Sequence, residues 1–210
     1  MRAFYRNFLK RFLDTCVAII LGVLLSWLLV IVAILVKLTS KGPVLFKQER
    51  FGLNSKPFTL YKFRSMTDGA PIKANSEFKD ITSYVTPFGM FIRKASIDEL
   101  PQLWNIIKGD MSFIGPRPLA ITDDQVLQLR RENGADQVRP GISGLAQVNG
   151  RNNITDRDKA SYDAKYANNV GFKLDLILIL ETVVSVARRD GIFKIEGEKV
   201  DRNNMEDLHE

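Results

Sequence analysis

From Thr15 to Val36 the chain reads TCVAIILGVLLSWLLVIVAILV, 22 consecutive positions without a charge. As a helix rising 1.5 Å per residue this run would reach about 33 Å, enough to cover a bilayer core. The pattern therefore predicts a membrane segment. It is too long for the apolar region of a signal peptide, and the KLTSKG that follows offers no small-residue cleavage site. Upstream, Phe4, Tyr5, Phe8, Leu9, Phe12 and Leu13 recur at helical spacing opposite Arg2, Arg6 and Lys10. This predicts an amphipathic helix lying in the headgroup layer. Basic residues stand on both sides of the apolar run, with Arg2, Arg6, Lys10 and Arg11 before it and Lys37, Lys41, Lys47 and Arg50 after it. A single crossing should leave one flank poor in Lys and Arg. The symmetric flanks thus favour a segment that enters one leaflet and returns, keeping both ends on the cytoplasmic side.

Past Gly42 and Pro43, VLFKQERF and PFTLYKFRS flank GLNSK and predict a β-hairpin. On its second strand Lys62 and Arg64 alternate with Tyr61 and Phe63, which puts both cations on one face, either a binding face or a solvated edge. The polar stretch Thr67 to Thr86 reads as a loop, and TPFGMFIRKAS as a short helix. Ile97, Leu100, Leu103, Trp104, Ile106 and Ile107 predict a helix closing at Gly109, with Pro101 loosening its first turn. A helix over about Thr122 to Asn133 precedes VRPGISGLAQVNGRNN, which has the composition of a ligand-cradling loop. FKLDLILILETVVSVARR, Phe172 to Arg189, is apolar around most of a helix and is either buried or set against lipid. The expected fold is α/β and mostly helical: a re-entrant membrane helix, amphipathic interfacial helices and a small β-hairpin around a compact catalytic domain. Its divisions are a membrane region over 1–40, a cytoplasmic-face catalytic domain over 41–190 and a polar tail over 191–210.

Composition narrows the chemistry. With 210 residues, 45% apolar and 26% charged, the chain suits one domain of ordinary size plus an extra element. A net charge of +6 calls for an anionic partner, whether nucleic acid, a membrane surface or a phosphorylated substrate. The single cysteine, Cys16, lies in the apolar run, and the single histidine, His209, lies in the tail. Disulfides within the chain, Cys or His metal clusters and Ser-His triads are thereby excluded, leaving carboxylates, Lys, Arg, Tyr and hydroxyls. Neither G-x-x-x-x-G-K-[ST] nor a strand-linked G-x-G-x-x-G occurs.

In that inventory the adjacent pair Asp98-Glu99 stands out, with two readings. Ser96 and Glu99 form the S-x-x-E of a capping box, which makes the acids helix-start furniture. Alternatively, a carboxylate kept ionised by the positive end of a helix can act as a nucleophile toward phosphorus, while its neighbour meets the same Mg²⁺. Arg117 in GPRP and Arg139 in VRPG precede prolines, which restrain their backbone toward extended conformations and suit them to phosphate contact. Each alone reads more readily as a surface charge or structural link, and it is the combination with adjacent acids and a membrane segment that favours phosphate.

From about Lys10 through Glu181 the chain resembles the monotopic phosphoglycosyl transferases, also called bacterial sugar transferases. The resemblance is carried by YKFRSM (Tyr61 to Met66), SIDELPQLWNIIKGDMSFIGPRP (Ser96 to Pro118), RPGISGLAQVNGRN (Arg139 to Asn152) and Asp163-x-x-Tyr166. It implies transfer of a sugar 1-phosphate from a UDP-sugar to polyprenyl phosphate, with Asp98 attacking the phosphate that bears the sugar and UMP leaving. Glu99 would bind Mg²⁺ or assist the acceptor, the metal being shared between Asp98 and Glu99. Arg117 would be the first phosphate ligand, followed by Arg93, Arg139 and Arg151, with Lys62 and Arg64 beside them. The implied setting is the cytoplasmic face of the bacterial inner membrane, on anionic lipid, without nucleic acid and with a homodimer left open. The family's membrane helix is usually broken by Ser-Pro, whereas this chain has Ser26-Trp27. That predicts only a slight bend, made by Ser26 bonding back to the Gly22 carbonyl. Two rival functions use the same residues: a membrane-anchored protein that binds anionic partners without catalysis, and a phosphohydrolase whose acceptor is water.

Overall fold

The apolar run does not form one straight helix. In the computed structural model, which describes residues 4–67, 69–70, 82–150 and 154–187, a π-helical turn Tyr5–Leu9 leads into α1 (Lys10–Leu24). Helix α2 (Ser26–Thr39) then departs at 64°. Leu25 stands between them with φ −95° and ψ 4°, outside helical geometry. Neither arm by itself is long and apolar enough to cross a membrane. The bend is therefore sharp rather than slight, and no proline makes it. Packing accounts for it: Ala18 of α1 is buried with Leu60, Leu103, Ile106 and Met111, whereas Val32 and Val36 of α2 are buried with Phe63 and Ile92. The two arms dock in separate clusters of one domain, so the chain turns between them. Val23, Leu24, Trp27, Val30 and Ile31, around the turn, remain exposed.

Ala18 offers a direct check on this docking, because its methyl group has no exposed surface. Leucine at this position overpacks the cluster, and Ala18→Leu is expected to cost about 1–3 kcal/mol. Thermal unfolding reads the loss as a lower Tm; an unchanged Tm would mean that α1 does not pack there.

The hairpin forms as expected, with β1 (Leu45–Phe51) antiparallel to β2 (Pro57–Phe63), running from Leu45 opposite Phe63 to Phe51 opposite Pro57. Asn54 and Ser55 take positive φ in its turn. Two further pairings join residues distant in the chain. The short β4 (Leu119–Ala120) extends the hairpin along the β1 edge, and β3 (Ser112–Ile114) lies parallel to β5 (Gly141–Ser143).

Helix α3 (Pro87–Lys94) starts at Thr86, whose hydroxyl accepts a hydrogen bond from the Gly89 amide at 2.9 Å. The helix expected from Ile97 divides in two: a 3-10 turn Ile97–Glu99, and then α4 (Gln102–Lys108), closed by Gly109 at φ 96°. Pro101 stands at the break, where its missing N–H makes the division. The capping box is not made. Ser96 is left-handed (φ 54°, ψ 20°), a conformation that turns it away from a capping geometry, and it forms no side-chain cap bond.

Helices α5 (Asp124–Asn133), α6 (Leu145–Val148), α7 (Asp156–Asn169) and α8 (Phe172–Ala187) complete the chain. The N-terminal stripe divides between two faces: Tyr5 is buried, while Phe4, Phe8 and Phe12 point outward. Helix α8 likewise buries Asp175 and Leu178 and exposes Phe172, Leu176, Leu180 and Val183. Asp175 ties the two segments together, accepting from Tyr5 Oη and Lys10 Nζ, each at 2.7 Å. The expected polar tail over 191–210 lies outside the described residues.

Candidate active site

The left-handed Ser96 turns the chain at the end of α3 so that the 3-10 turn delivers Asp98 to the wall of a cavity of about 680 Å³. Strands β1 and β2 and the segment after β2 form most of the remaining wall. Lys62, Arg64 and Arg117 face the same space as Asp98, together with Gln48, Arg50 and the apolar Pro43, Leu45, Phe46 and Phe63. The cavity is thus a cationic basin with one buried acid in its wall.

Glu99 stands beside the basin rather than in its lining. Its Oε1 accepts from Lys62 Nζ at 2.7 Å, and Arg117 Nη2 lies 4.0 Å from the same oxygen. Lys62 and Arg64, which the alternation put on one face, both line this cavity. Arg64 is held by Ser40 at the end of α2, through Nε to Oγ at 3.2 Å and through Nη2 to the carbonyl at 2.8 Å and to Oγ at 2.7 Å. Among the described residues its buried Nη1 has no hydrogen-bond partner. Arg93 acts from behind the wall, donating from Nε to Ser65 Oγ at 2.8 Å.

Burial pushes the Asp98 carboxyl up from its ordinary 3.8 to about 6; the Glu99 charge adds to the rise, while Lys62 and Arg93 oppose it. This reverses the expectation that a helix start keeps Asp98 ionised. Only a single 3-10 turn begins there, and removal from water outweighs its small dipole. The acid consequently changes charge at a higher pH than an exposed carboxylate does.

One of the expected arginines, Arg139, is not brought here. Arg139 donates from Nε to the Gly109 carbonyl at 2.9 Å and, with Arg6, Lys10 and Arg11, lines a second pocket apart from Asp98. Its place is set by the parallel pairing of β3 with β5, which swings the start of RPGISG toward the end of α4. Arg151 lies outside the described residues. Conversely, sequence reasoning passes over Gln48, Arg50 and Ser40. The first two were within reach, because in the hairpin register Phe46 faces Lys62 and Gln48 faces Leu60, so period-2 alternation puts Gln48 and Arg50 on the Lys62 face. Nothing local in the sequence marks Ser40.

The donor set fits a hard divalent cation. Among the described residues no group of three or more potential metal-ligating side chains exists. The adjacent pair Asp98 and Glu99 is what Mg²⁺ takes when phosphate oxygens and water complete its shell. The mutual repulsion of these acids is the kind of term that such an ion relieves.

The chain matches the model of a family described as bacterial sugar transferase over residues 5–189. It is 45% identical over 184 residues to a sugar transferase, EpsL, of Bacillus subtilis (strain 168), covering 88% of this chain and 90% of that protein. It is 39% identical to a UDP-glucose:undecaprenyl-phosphate glucose-1-phosphate transferase of Caulobacter vibrioides, over 88% of this chain and 72% of the relative. A protein of the same description from Klebsiella pneumoniae is 40% identical over 83% of this chain, but the chain spans only 39% of that longer relative.

Proposed function

The chain belongs to the bacterial sugar transferase family, and from that premise we propose that it transfers a sugar 1-phosphate from a UDP-sugar to polyprenyl phosphate. One observation carries the reading: a buried carboxylate, Asp98, faces a cavity whose other charged walls among the described residues are Lys47, Arg50, Lys62, Arg64 and Arg117. A diphosphate bridge supplies the negative charge that this basin lacks, and Asp98 supplies the nucleophile.

In the first step an Asp98 oxygen bonds to the phosphorus that bears the sugar, and the bond from that phosphorus to UMP breaks, with the electron pair leaving on UMP. In the second step a phosphate oxygen of polyprenyl phosphate bonds to the same phosphorus, and Asp98 departs as a carboxylate. The products are UMP and polyprenyl-diphosphate-sugar. Lys62, Arg64 and Arg117 align the phosphates and stabilise charge on the transferred group, which supplies most of the acceleration in reactions of this kind. Asp98 and Glu99 would hold Mg²⁺, which when bound neutralises phosphate charge. Glu99 keeps Lys62 over the basin through its 2.7 Å contact.

The acceptor's prenyl chain stays in lipid, so the site has to stand at the membrane surface. Both arms of the α1–α2 bend dock on the catalytic domain, the turn between them is apolar and exposed, and both flanks are basic. These features support a re-entrant insertion into the cytoplasmic leaflet of the bacterial inner membrane, with Phe4, Phe8, Phe12 and the outer face of α8 resting on anionic lipid.

The test is incubation with UDP-sugar and Mg²⁺ without acceptor, followed by intact-protein mass spectrometry. The expected result is a mass gain of one phosphosugar, mapped to Asp98, with about one equivalent of UMP released and the adduct discharged by polyprenyl phosphate. Continuous UMP release without acceptor would identify water as the acceptor. Absence of both adduct and UMP would leave only a binding role, and either result overturns the proposal.

A further inference from the structure

Arg117 reaches the basin from the loop between β3 and β4, and its side chain has no close anchor. Its side chain is 54% exposed, and among the described residues its one ion pair is with Glu99 Oε1, 4.0 Å away. Its aim therefore depends on its backbone. Four consecutive carbonyls of that loop each accept a hydrogen bond from the surrounding structure. Tyr166 Oη shares its one proton between the Ile114 carbonyl at 3.0 Å and Asp175 Oδ1 at 2.8 Å, Gln147 Nε2 donates to Gly115 at 3.4 Å, the Gly141 amide to Pro116 at 2.9 Å, and Arg130 Nη1 to Arg117 at 2.8 Å.

The two ends of this segment trace back to one turn of α7. Arg130 is held by Asp163, with Nε and Nη2 at 2.8 Å and 2.6 Å from the same oxygen, Oδ2. Asp163 and Tyr166 are three residues apart and so share a face of the helix. Both members of the Asp163-x-x-Tyr166 motif, which the proposed chemistry leaves unused, thus converge on Ile114 and Arg117. A buried ion pair is by itself poor evidence of stabilisation, since apolar residues of similar volume often do as well. Here Asp163 leaves Oδ1 without a hydrogen-bond partner among the described residues, while the third guanidinium nitrogen of Arg130 is spent on the Arg117 carbonyl. The arrangement favours orientation of the loop over satisfaction of the pair.

We propose that Asp163, Arg130 and Tyr166 are positioning residues that clamp the carbonyls at both ends of Ile114–Arg117 and so aim the Arg117 guanidinium at the diphosphate of the donor. The proposal rests on the transferase reading in one respect, that Arg117 meets the donor's phosphates. None of the three touches substrate; they act through the backbone of Arg117.

The test compares wild type with Arg130→Met/Asp163→Leu, which removes both charges together and so leaves no lone buried ion, and with Tyr166→Phe, which removes one hydroxyl. Hydrogen exchange of the peptide spanning 112–120 is expected to speed at least about tenfold in the double variant, while α1 and α4 keep their protection. Formation of the phosphosugar adduct from UDP-sugar is expected to slow by about tenfold or more, with the thermal midpoint little changed. Arg117→Ala should slow the adduct as well, and adding the clamp substitutions to Arg117→Ala should slow it no further, because there is no longer a guanidinium to aim. Tyr166→Phe should show a smaller effect in the same direction. Losses that multiply in the combined variant would overturn the proposal, since that pattern belongs to a purely structural pair. Unchanged exchange over 112–120 would overturn it whatever the chemistry. A wild type that forms no adduct would sink the transferase reading alone, because the exchange measurement needs no turnover.

Discussion

Asp98→Asn is expected to abolish turnover, by on the order of 10⁴- to 10⁶-fold, and at the same time to make the protein more stable at neutral pH. The first effect follows from the loss of the only carboxylate that lines the basin among the described residues. The second follows from burial. The folded carboxyl is pushed up to about 6 from an ordinary 3.8, so between these values the folded protein binds a proton that the unfolded chain has released. The wild type's stabilisation from that proton is complete below about pH 4 and is lost as pH rises through 6. Above 6 the wild type carries a buried charge that asparagine does not, a difference on the order of 3 kcal/mol. Thermal unfolding in EDTA, run from pH 4 to 8, should therefore show the variant's advantage opening across pH 4 to 6 and staying level beyond. Adduct formation by the wild type should fall about tenfold per pH unit below 6. Wild-type turnover by the variant, or equal stability of the two proteins at pH 8, would contradict the assignment of Asp98.

That outcome also separates the two sequence readings of Asp98-Glu99. Aspartate and asparagine cap helices about equally well, so a cap would survive the change almost intact. The structure already weakens the cap, because Ser96 is left-handed and Pro101 ends the turn before a regular helix begins. Local patterns were legible where local physics decides them. The hairpin, the closing Gly109, a weakened helix start at Pro101 and the cations on the Lys62 face all follow from period, turn residues and a missing donor, although the helix divides there where only loosening was expected. The break at Leu25 was not legible, because it arises from docking of Ala18 and Val36 in separate clusters and not from any residue at the bend. Arg139 was misplaced for a related reason. Its proline neighbour restrains its backbone, but the parallel pairing of β3 with β5 decides where that backbone goes. The proline neighbour of Arg117 and the family resemblance both suggested it as a phosphate ligand; only the fold brings Arg130 to its carbonyl.

Gly141→Ala tests that support at its tightest point. A Cβ on Gly141 would lie 2.1 Å from the Gly115 amide nitrogen, 2.4 Å from the Ser143 carbonyl oxygen and 2.7 Å from the Ile114 carbonyl carbon. All three atoms are backbone, so no rotamer change relieves the contact. The glycines of RPGISG and GPRP thus read less as a phosphate cradle than as a close approach of two main chains. On one side Ser112 donates to Pro140 at 2.9 Å, on the other Gly115 donates to Ser143 at 2.8 Å, and Gly141 itself donates to Pro116 at 2.9 Å. Alanine must push β3 and β5 apart and break bonds on both sides, at an expected cost of about 3 kcal/mol or more in thermal or denaturant unfolding. The functional loss should exceed this. Assayed well below its own Tm, where the variant remains folded, adduct formation should still be slowed, because the displaced carbonyls are those that carry Arg117. Wild-type adduct formation in a folded Gly141→Ala protein would show that the aim of Arg117 does not depend on the β3–β5 contact.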